Sequence, residues 1–398
     1  MSSAVEKTML ERSAARLRYT PDERLGVIVV DSFPQLGTLT AVRFLEWVQA
    51  NPEGVIALPT GKTPEYFIKE TQRFLSTWET KETIAELESF GVDPSTRPSL
   101  AGLHFVQIDE FYPINPRHQN SFYYYVQRFY VEGFGLDVDR GLFIRCDEVG
   151  IPEGHTLESI WGNDGVDLDL RYRLPRSSRE QLQQRVIREI DQWCVEYEDQ
   201  VRALGGIGFF LGGIGPDGHI GFNVRGADTY STTRLTPVNY ETKAAAATDL
   251  GGIEVAEQRL VITIGLSTIT YNPKAVAIIM AAGEAKASVV SDAITNDRDV
   301  RYPASALTAL KNSRFYLTRG AAKNLEARSI AAFTEGGAPD ETQVEQIVID
   351  VSLQAGKRII DLEEEDFRAH RFGRALLKTK PGSVSSLRTD CELRASDS

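Results

Sequence analysis

The chain has 398 residues, of which 42% are hydrophobic and 25% charged, a composition typical of a globular protein with a sizeable core. Its formal net charge of −12 argues against general binding to nucleic acids or anionic membranes, because such surfaces select for clustered Lys and Arg. A small anionic substrate needs only a few local donors, so the overall charge does not exclude one.

Cysteine usage and the amino-terminal segment bear on the compartment. Cys146, Cys194 and Cys391 form no CxxC pair and have no zinc-like spacing with His, which suits a reducing cytosol and predicts no metal site. Residues 1–18 carry mixed charges rather than the apolar stretch of a secretory signal. No run reaches the ~18 apolar residues of a membrane span. These features predict a cytoplasmic protein without a membrane partner.

The first elements alternate between strand and helix. Residues 1–35 are predicted to be a peripheral lead-in with a short strand at Leu25–Val30. Apolar residues near helical spacing predict a helix over Leu36–Ala50. The apolar run at 54–58 predicts a buried strand, and Pro-Thr-Gly-Lys-Thr-Pro at 59–64 predicts a tight loop that opens a helix.

The same alternation continues along the chain. Apolar runs predict strands at His104–Ile108, Ile207–Ile214, Val261–Ile264, Val276–Met280 and Arg314–Leu317. A helix is predicted from Glu284 to about Ala293. Continuous apolar strands alternating with helices predict an α/β fold, a Rossmann-like mostly parallel sheet with helices on both faces. Because ligands bind beyond the carboxyl ends of such strands, the polar motifs that follow them are expected to share one site.

The pattern of elements and the composition predict four regions: the lead-in, a main domain, a helical extension and a tail. Residues 36–320 are expected to form the main α/β domain, and residues 146–185, rich in Gly, Asp, Arg and Pro, to form a surface insertion within it. Residues 321–377 are predicted to be a helical extension, and the polar, Ser-rich segment 378–398 a disordered tail.

The first chemical motif spans Leu58–Pro64. A strand, a Gly turn and a helix amino terminus offer backbone N–H groups and a partial positive charge to a phosphate. A P-loop is excluded because its leading Gly would fall at Ile56. An ordinary strand-to-helix turn remains the alternative. The candidate phosphate ligands are Thr60, Gly61, Lys62 and Thr63.

The second motif is the pair Asp109 and Glu110, directly after a predicted strand. A carboxylate at the edge of a pocket is well placed for proton transfer. Because adjacent residues at a strand end point to different sides, we expect only one in the site; the other would cap the next helix or pair with a Lys. The aromatic run at 122–125 is more typical of packing than of sugar stacking.

The third motif is the glycine-rich segment Gly212–Asn223, in which Asp217 and His219 lie two residues apart. Its glycines allow the backbone to approach a ligand, and a His beside a carboxylate can shuttle protons near neutral pH. The fourth motif is Gly283–Lys286. A Lys in the first turn of a helix works against the helix dipole, so Lys286 is predicted to face an anion, although a solvated surface Lys is the alternative.

Together these motifs resemble those of glucosamine-6-phosphate deaminases, in the superfamily shared with 6-phosphogluconolactonases. The resemblance covers residues 36–320 and follows a specific order: PTGKTP, IDEFY with NSFYYYV, GGIGPDGHIGFN, and GEAK. Lactonases share the Asp-Gly-His turn but usually continue it differently. Here Gly221-Phe222-Asn223 follows, as in the deaminases.

The resemblance implies a hydrolytic deaminase that converts glucosamine 6-phosphate to fructose 6-phosphate and ammonia. Asp109 would move the proton between C2 and C1 of the open-chain sugar through an enediol-type intermediate, and His219, assisted by Asp217, would open the ring. The implied substrate and phosphate ligands are Thr60, Gly61, Lys62, Thr63, Gly213 and Lys286. The resemblance further implies a phosphorylated amino sugar as partner, no metal or organic cofactor, and a homo-oligomer.

Two departures from the family pattern lie close together. Val224 stands where the deaminases have a Glu that completes the Asp–His relay, and Asp228 is a candidate replacement. Thr248 stands where the family has a phosphate-clamping Arg. Candidates to compensate for that Arg are Arg225, Arg234 and Lys243. A different amino-sugar phosphate or slow turnover is therefore expected. Two alternatives stay open: a lactonase-type hydrolase in which His219 activates water, and a sugar-phosphate-binding protein with little catalysis, which Val224 favours.

Overall fold

The computed structural model describes residues 3–162, 165–244, 259–335 and 341–379, together with Val384 and Arg388. The chain divides into two compact units, Met1–Asn324 and Leu325–Ser398. Most of the predicted disordered tail lies outside the described residues.

The first unit is built on a seven-stranded sheet in which every pair of neighbours is parallel. Its spatial order is β1 (Gly26–Val30), β10 (Asn312–Thr318), β9 (Val276–Ala281), β6 (Phe209–Gly213), β2 (Val55–Ala57), β3 (His104–Val106) and β5 (Gly141–Leu142). All six residues of β9 are buried, as expected of a parallel strand with both faces covered. The predicted mostly parallel α/β fold is confirmed.

Helices surround this sheet. Those whose bounds the structure describes in the first unit are α1 (Ala4–Ser13), α2 (Phe33–Ala50), α3 (Glu65–Thr77), α4 (Lys81–Ser89), α5 (Phe122–Val126), α6 (Leu157–Trp161), α7 (Ser178–Ala203), α8 (Leu266–Thr270) and α9 (Ala287–Thr295). The Ser32 hydroxyl caps α2 by accepting from the N–H of Gln35, and Pro34 occupies its first turn. Phe44 of α2 packs on Phe67 of α3 and on Phe209 of β6, so the core runs directly beneath the strand that leads to the glycine-rich turn.

A second, smaller sheet departs from the prediction. Its antiparallel strands are β4 (Asp109–Tyr112), β8 (Leu260–Thr263) and β7 (Arg234–Thr236), in the order β4-β8-β7. The predicted strand Val261–Ile264 therefore does not belong to the parallel sheet, and Asp109 and Glu110 begin a new strand. The buried side chain of Gln107 makes this change of sheet possible, because its amide donates to the carbonyl of Asp109 and accepts from the N–H of Ile144.

Two segments contribute more to the fold than the sequence predicted. The lead-in supplies β1, whose Gly26–Val30 pair with Arg314–Thr318 of the main sheet. The segment 146–185 contains the buried Trp161, whose indole N–H donates to the hydroxyl of Tyr112 over 3.1 Å. It is thus anchored on the smaller sheet rather than confined to the surface, because its apolar residues bury against β4.

The second unit is helical. In its described part, the α-helices with given bounds are α10 (Glu326–Glu335), α11 (Glu341–Ala355), α12 (Glu364–Ala369) and α13 (Arg371–Thr379). They enclose a core of their own that includes Val348, Val351, Phe367 and Leu376. In neither unit does a described helix have the length and apolarity needed to cross a membrane.

Candidate active site

A cleft opens where β2 and β6 end. It is lined by Pro59, Thr60, Thr63, Ile108, Asp109, Phe122, Phe210, Gly212, Gly213, Ile214, Gly215, His219, Gly221 and Phe222. The structure therefore brings together five of the residues singled out in the sequence: Thr60, Thr63, Asp109, Gly213 and His219. They converge because parallel strands place their carboxyl ends along one edge of the sheet.

Asp109 enters this cleft from the first position of β4. Among the described residues, no donor contacts its carboxylate, and the side chain is buried. Burial, reinforced by the negative charge of Glu110, raises the pKa of Asp109 to about 8. A buried carboxyl group that titrates near neutrality and faces a cleft is suited to taking and returning a proton.

Glu110 points away from the cleft and is fully buried. Its carboxylate accepts from the hydroxyl of Ser121 over 2.6 Å and from the N–H groups of Phe122 and Tyr123 at the start of α5. Burial raises the pKa of Glu110 to about 7, against the opposing effect of these donors. The two carboxylates therefore point to different sides, as expected of adjacent residues at a strand end: Asp109 lines the cleft, and Glu110 caps the start of α5.

His219 and Asp217 form a hydrogen-bonded pair beneath the glycine-rich turn. The imidazole Nδ1 lies 2.5 Å from Asp217 Oδ1. Burial opposes the charge of Asp217, but the hydrogen bond and charge of His219, together with the N–H of Arg225 and the amide of Asn239, hold its pKa below the ordinary value. An ionised Asp217 assigns the imidazole proton to Nδ1, and Nε2 is then the basic nitrogen. In the described part of the chain, no hydrogen bond is made to Nε2.

Two positions of this turn require glycine, each for a different structural reason. A Cβ on Gly215 would lie 2.0 Å from Cε1 of His219, so only glycine lets the imidazole lie against the backbone. Gly218, between Asp217 and His219, has a φ of +84°, in the left-handed region that glycine adopts without strain. The turn is therefore shaped to hold the imidazole against its own backbone.

Aromatic side chains support both the imidazole and the neighbouring loop. Phe222 stacks on His219 with ring centroids 5.8 Å apart, and Phe122 stacks on Phe222 in turn. The hydroxyl of Tyr125 donates to the carbonyl of Gly61, and that of Tyr130 donates to the carbonyl of Pro59. The aromatic run thus serves mainly as packing, as predicted, although Phe122 also lines the cleft.

The loop before α3 contributes side chains and backbone to one wall of the cleft. Thr60 and Thr63 line it, whereas Gly61 and Lys62 are exposed outside the lining residues. Pro64 is the N-cap residue of α3 and makes no side-chain capping bond, so this helix end offers its partial positive charge toward the loop.

Lys286 approaches the same region from the turn before α9. Its ammonium group donates to the carbonyl of Ile214, a lining residue, over 2.8 Å. Burial lowers the pKa of Lys286, and the charge of Asp217 opposes this shift. Lys286 is therefore a partly buried cation beside the cleft rather than a solvated surface Lys.

Three of the residues proposed to compensate for the two departures form no side-chain hydrogen bond with Asp217 or His219 in the described part of the chain. Asp228 is exposed and accepts from the N–H of Tyr230. The guanidinium group of Arg234 donates to the carbonyl of Thr232. Arg225 contributes its backbone N–H to Asp217. Position 248 lies outside the described residues.

Two polar residues that the sequence did not single out do reach this pair. The amide of Asn239 donates to Asp217 Oδ2 over 2.6 Å, and the hydroxyl of Thr242 lies 3.4 Å from Nδ1 of His219. They are 22 and 23 residues from their partners along the chain, which no local motif signals. Groups of three or more potential metal ligands do not occur in the described part of the chain.

The chain is similar in sequence to named glucosamine-6-phosphate deaminases. The chain is 24% identical over 307 residues to glucosamine-6-phosphate deaminase 2 of Bacillus subtilis (strain 168), a match that covers 77% of this chain and 100% of the relative. It is 26% identical to the glucosamine-6-phosphate deaminase of Bacillus velezensis, over 72% of this chain and 93% of the relative. The predicted resemblance is confirmed.

The fold comparison agrees. The solved structure of a monomeric glucosamine-6-phosphate deaminase matches with a TM-score of 0.55 and 21% identity, covering 75% of this chain and 99% of that one. No protein-family model matches the chain. At 21% identity this likeness shows the fold alone.

Proposed function

We propose that this protein converts glucosamine 6-phosphate and water to fructose 6-phosphate and ammonia. The observation that carries the proposal is the convergence on one cleft of the buried Asp109 and the Asp217–His219 pair, in a chain similar to glucosamine-6-phosphate deaminases. Two acid–base groups in different environments suit a reaction that moves protons at two places on one sugar.

His219 opens the ring. Its Nε2 takes the proton of the anomeric hydroxyl as the C1 carbonyl forms and the C1–O5 bond breaks, and a proton returns from His219 to O5. Asp217 holds the proton on Nδ1 and stabilises the imidazolium that forms between these steps. The aromatic face of Phe222 fixes the ring plane.

Asp109 then moves a proton along the open chain. Its carboxylate takes the proton from C2 while the aldehyde oxygen O1 gains a proton from the substrate ammonium group, which gives an enolamine. Asp109 then returns its proton to C1, and C2 becomes an iminium. Water adds to C2 and passes its protons to the nitrogen and to solvent as the C2–N bond breaks, which leaves the ketone and releases ammonia. The raised pKa of Asp109 makes it a stronger base once ionised, and a substrate ammonium group beside it would favour that ionised form.

The phosphate is held by the loop before α3 and by Lys286. Thr60 and Thr63 offer hydroxyl groups, Gly61, Lys62 and Gly213 offer backbone, and Lys286 offers positive charge. A helix amino terminus and a partly buried cation beside the cleft favour an anionic group without a strongly basic surface.

One assay tests the proposal. Purified protein is given glucosamine 6-phosphate, and ammonia and fructose 6-phosphate are measured together, with unphosphorylated glucosamine as the matched control. Equal release of both products from the phosphorylated sugar alone is expected. If neither product forms while the sugar phosphate raises the melting temperature, the protein binds sugar phosphates without catalysis, the alternative that Val224 favours. Hydrolysis of 6-phosphogluconolactone without ammonia release would indicate the lactonase.

We also propose that the protein works in the cytoplasm and as a homo-oligomer. Cys146 and Cys194 are buried and free, which suits a reducing compartment. The homo-oligomer rests on the family resemblance, and the solved deaminase that matches the fold is described as monomeric. Light scattering coupled to size exclusion measures the assembly directly.

A further inference from the structure

The two oxygens of Asp217 have separate partners. Oδ1 faces Nδ1 of His219 at 2.5 Å, whereas Oδ2 accepts from the N–H of Arg225 at 2.9 Å and from the amide of Asn239 at 2.6 Å. The carboxylate is buried, so these donors rather than water fix its orientation. The charged groups that act on it are His219 and Lys286.

Asn239 is held at both ends of its amide. Its Oδ1 accepts from the N–H of Thr242 at 3.0 Å, and its backbone carbonyl accepts from the N–H of Lys243, so Asn239 caps a helical turn. Since a backbone N–H can only donate, Oδ1 must face Thr242 and Nδ2 must face Asp217. In the reversed orientation, Nδ2 would face the N–H of Thr242, donor against donor, and Oδ1 would face the carboxylate of Asp217, acceptor against acceptor. The amide therefore has a single orientation in this network.

Asn239 therefore connects a structural cap to the Asp217–His219 pair. Arg225 provides the other donor to Oδ2 through its backbone, and a side-chain substitution does not remove that donor. Asn239 is thus the one side chain besides His219 that, among the described residues, donates to Asp217. Without Asn239, Oδ2 keeps only the N–H of Arg225, so the carboxylate that orients the imidazole is held less firmly.

We propose that Asn239 is a positioning residue for the reaction proposed above: by donating to Asp217 Oδ2 it fixes the carboxylate that orients His219. This inference rests on the proposed function for its effect on rate, but the orientation of His219 can be measured without turnover. A cap alone would stabilise the helical turn and leave the imidazole unaffected.

Two substitutions separate the cap from the donor. Asn239→Asp and Asn239→Ser both keep a good helix-capping side chain. Asn239→Asp replaces the donor with a second carboxylate facing Asp217, and Asn239→Ser leaves a hydroxyl too short to replace the amide. Both should lower kcat on cyclic substrate by about ten- to a hundredfold, the rate equivalent of one hydrogen bond to a charged group, with little change in KM.

The pH dependence identifies the cause. As pH falls, the new carboxyl group of Asn239→Asp is protonated and becomes a donor again, so the ratio of its kcat to that of the wild type should rise. The ratio for Asn239→Ser should stay constant. Circular dichroism and melting temperature check that both variants fold, and if only one folds, its kcat and imidazole spectra still decide.

Imidazole ¹⁵N spectra provide the readout that does not depend on activity, with His219→Gln assigning the signal. In the wild type, the His219 signals should report a proton on Nδ1, and in the variants they should shift toward tautomer exchange. Unchanged His219 spectra together with wild-type kcat would overturn the inference. If the wild type shows no turnover, the proposed function fails, and the spectra alone decide whether Asn239 positions His219.

Discussion

Asp109 and Glu110 are consecutive residues of β4, yet Asp109 lines the cleft while the carboxylate of Glu110 is fully buried against the start of α5. The alternation of side chains along a strand produces this division. It places a negative charge beside the proposed base without admitting a second acid to the cleft. Burial and this neighbouring charge together set the protonation of Asp109.

Replacing Asp109 should abolish most of the activity but preserve substrate binding. Asp109→Asn should lower kcat by at least about a hundredfold, because amides cannot take the C2 proton, while glucosamine 6-phosphate should still raise the melting temperature. Wild-type activity in this variant would remove Asp109 from its role.

The same substitution should raise the melting temperature at alkaline pH, although it lowers activity. The folded pKa of Asp109 is raised from 3.8 to about 8, so the folded protein retains a proton that the unfolded chain releases, and wild-type stability falls as pH rises between those values. Asp109→Asn should therefore melt higher than the wild type at pH values above 8 and lose this advantage near pH 4 (melting temperature across the pH range measures it).

Removing the charge of Glu110 should move the pH profile. Asp109 acts as a base only when ionised, so kcat/KM rises with pH through its pKa. Glu110→Gln removes the repulsion between the two carboxylates and so lowers the pKa of Asp109. The rising limb of the pH profile of kcat/KM should therefore move to lower pH. Ser121→Ala disturbs the same helix start but keeps the charge, and should shift the limb less. Equal shifts in both variants would assign the effect to α5 rather than to charge.

Replacing His219 should depend on the form of the substrate. His219→Gln removes the proton carrier for ring opening, so it should reduce the rate on cyclic glucosamine 6-phosphate more than that on an analogue fixed in the open-chain form. The comparison of kcat/KM on the two compounds measures the difference. A similar loss on both would show that His219 acts after the ring has opened.

Lys286 should contribute mainly to substrate binding. Lys286→Met keeps much of the side-chain length but removes the partly buried cation beside Ile214, so KM should rise by about tenfold or more, with a smaller change in kcat. Lys323→Met is the matched control, because Lys323 is exposed and pairs with Glu284 on the surface. If the control raises KM equally, long-range charge rather than the local cation accounts for the effect.

Local features of the sequence were sufficient for several conclusions. Apolar runs separated by helical patterns identified the parallel sheet, since burial on both faces requires continuously apolar strands. The same logic placed Thr63, Asp109 and His219 at one edge, because parallel strands deliver their carboxyl ends there. The contrast between Asp109 and Glu110 followed from side-chain alternation alone.

Other features depended on contacts between distant segments. Where the chain leaves the parallel sheet for the antiparallel sheet of β4, β8 and β7, the side chain of Gln107 satisfies the backbone groups of Asp109 and Ile144, and no periodicity predicts these contacts. The donor from Asn239 to Asp217 spans 22 residues. Spacing and residue type thus determined which groups can do the chemistry, whereas tertiary packing decided which neighbours orient and ionise them, because burial and hydrogen-bond partners exist only once the chain has folded.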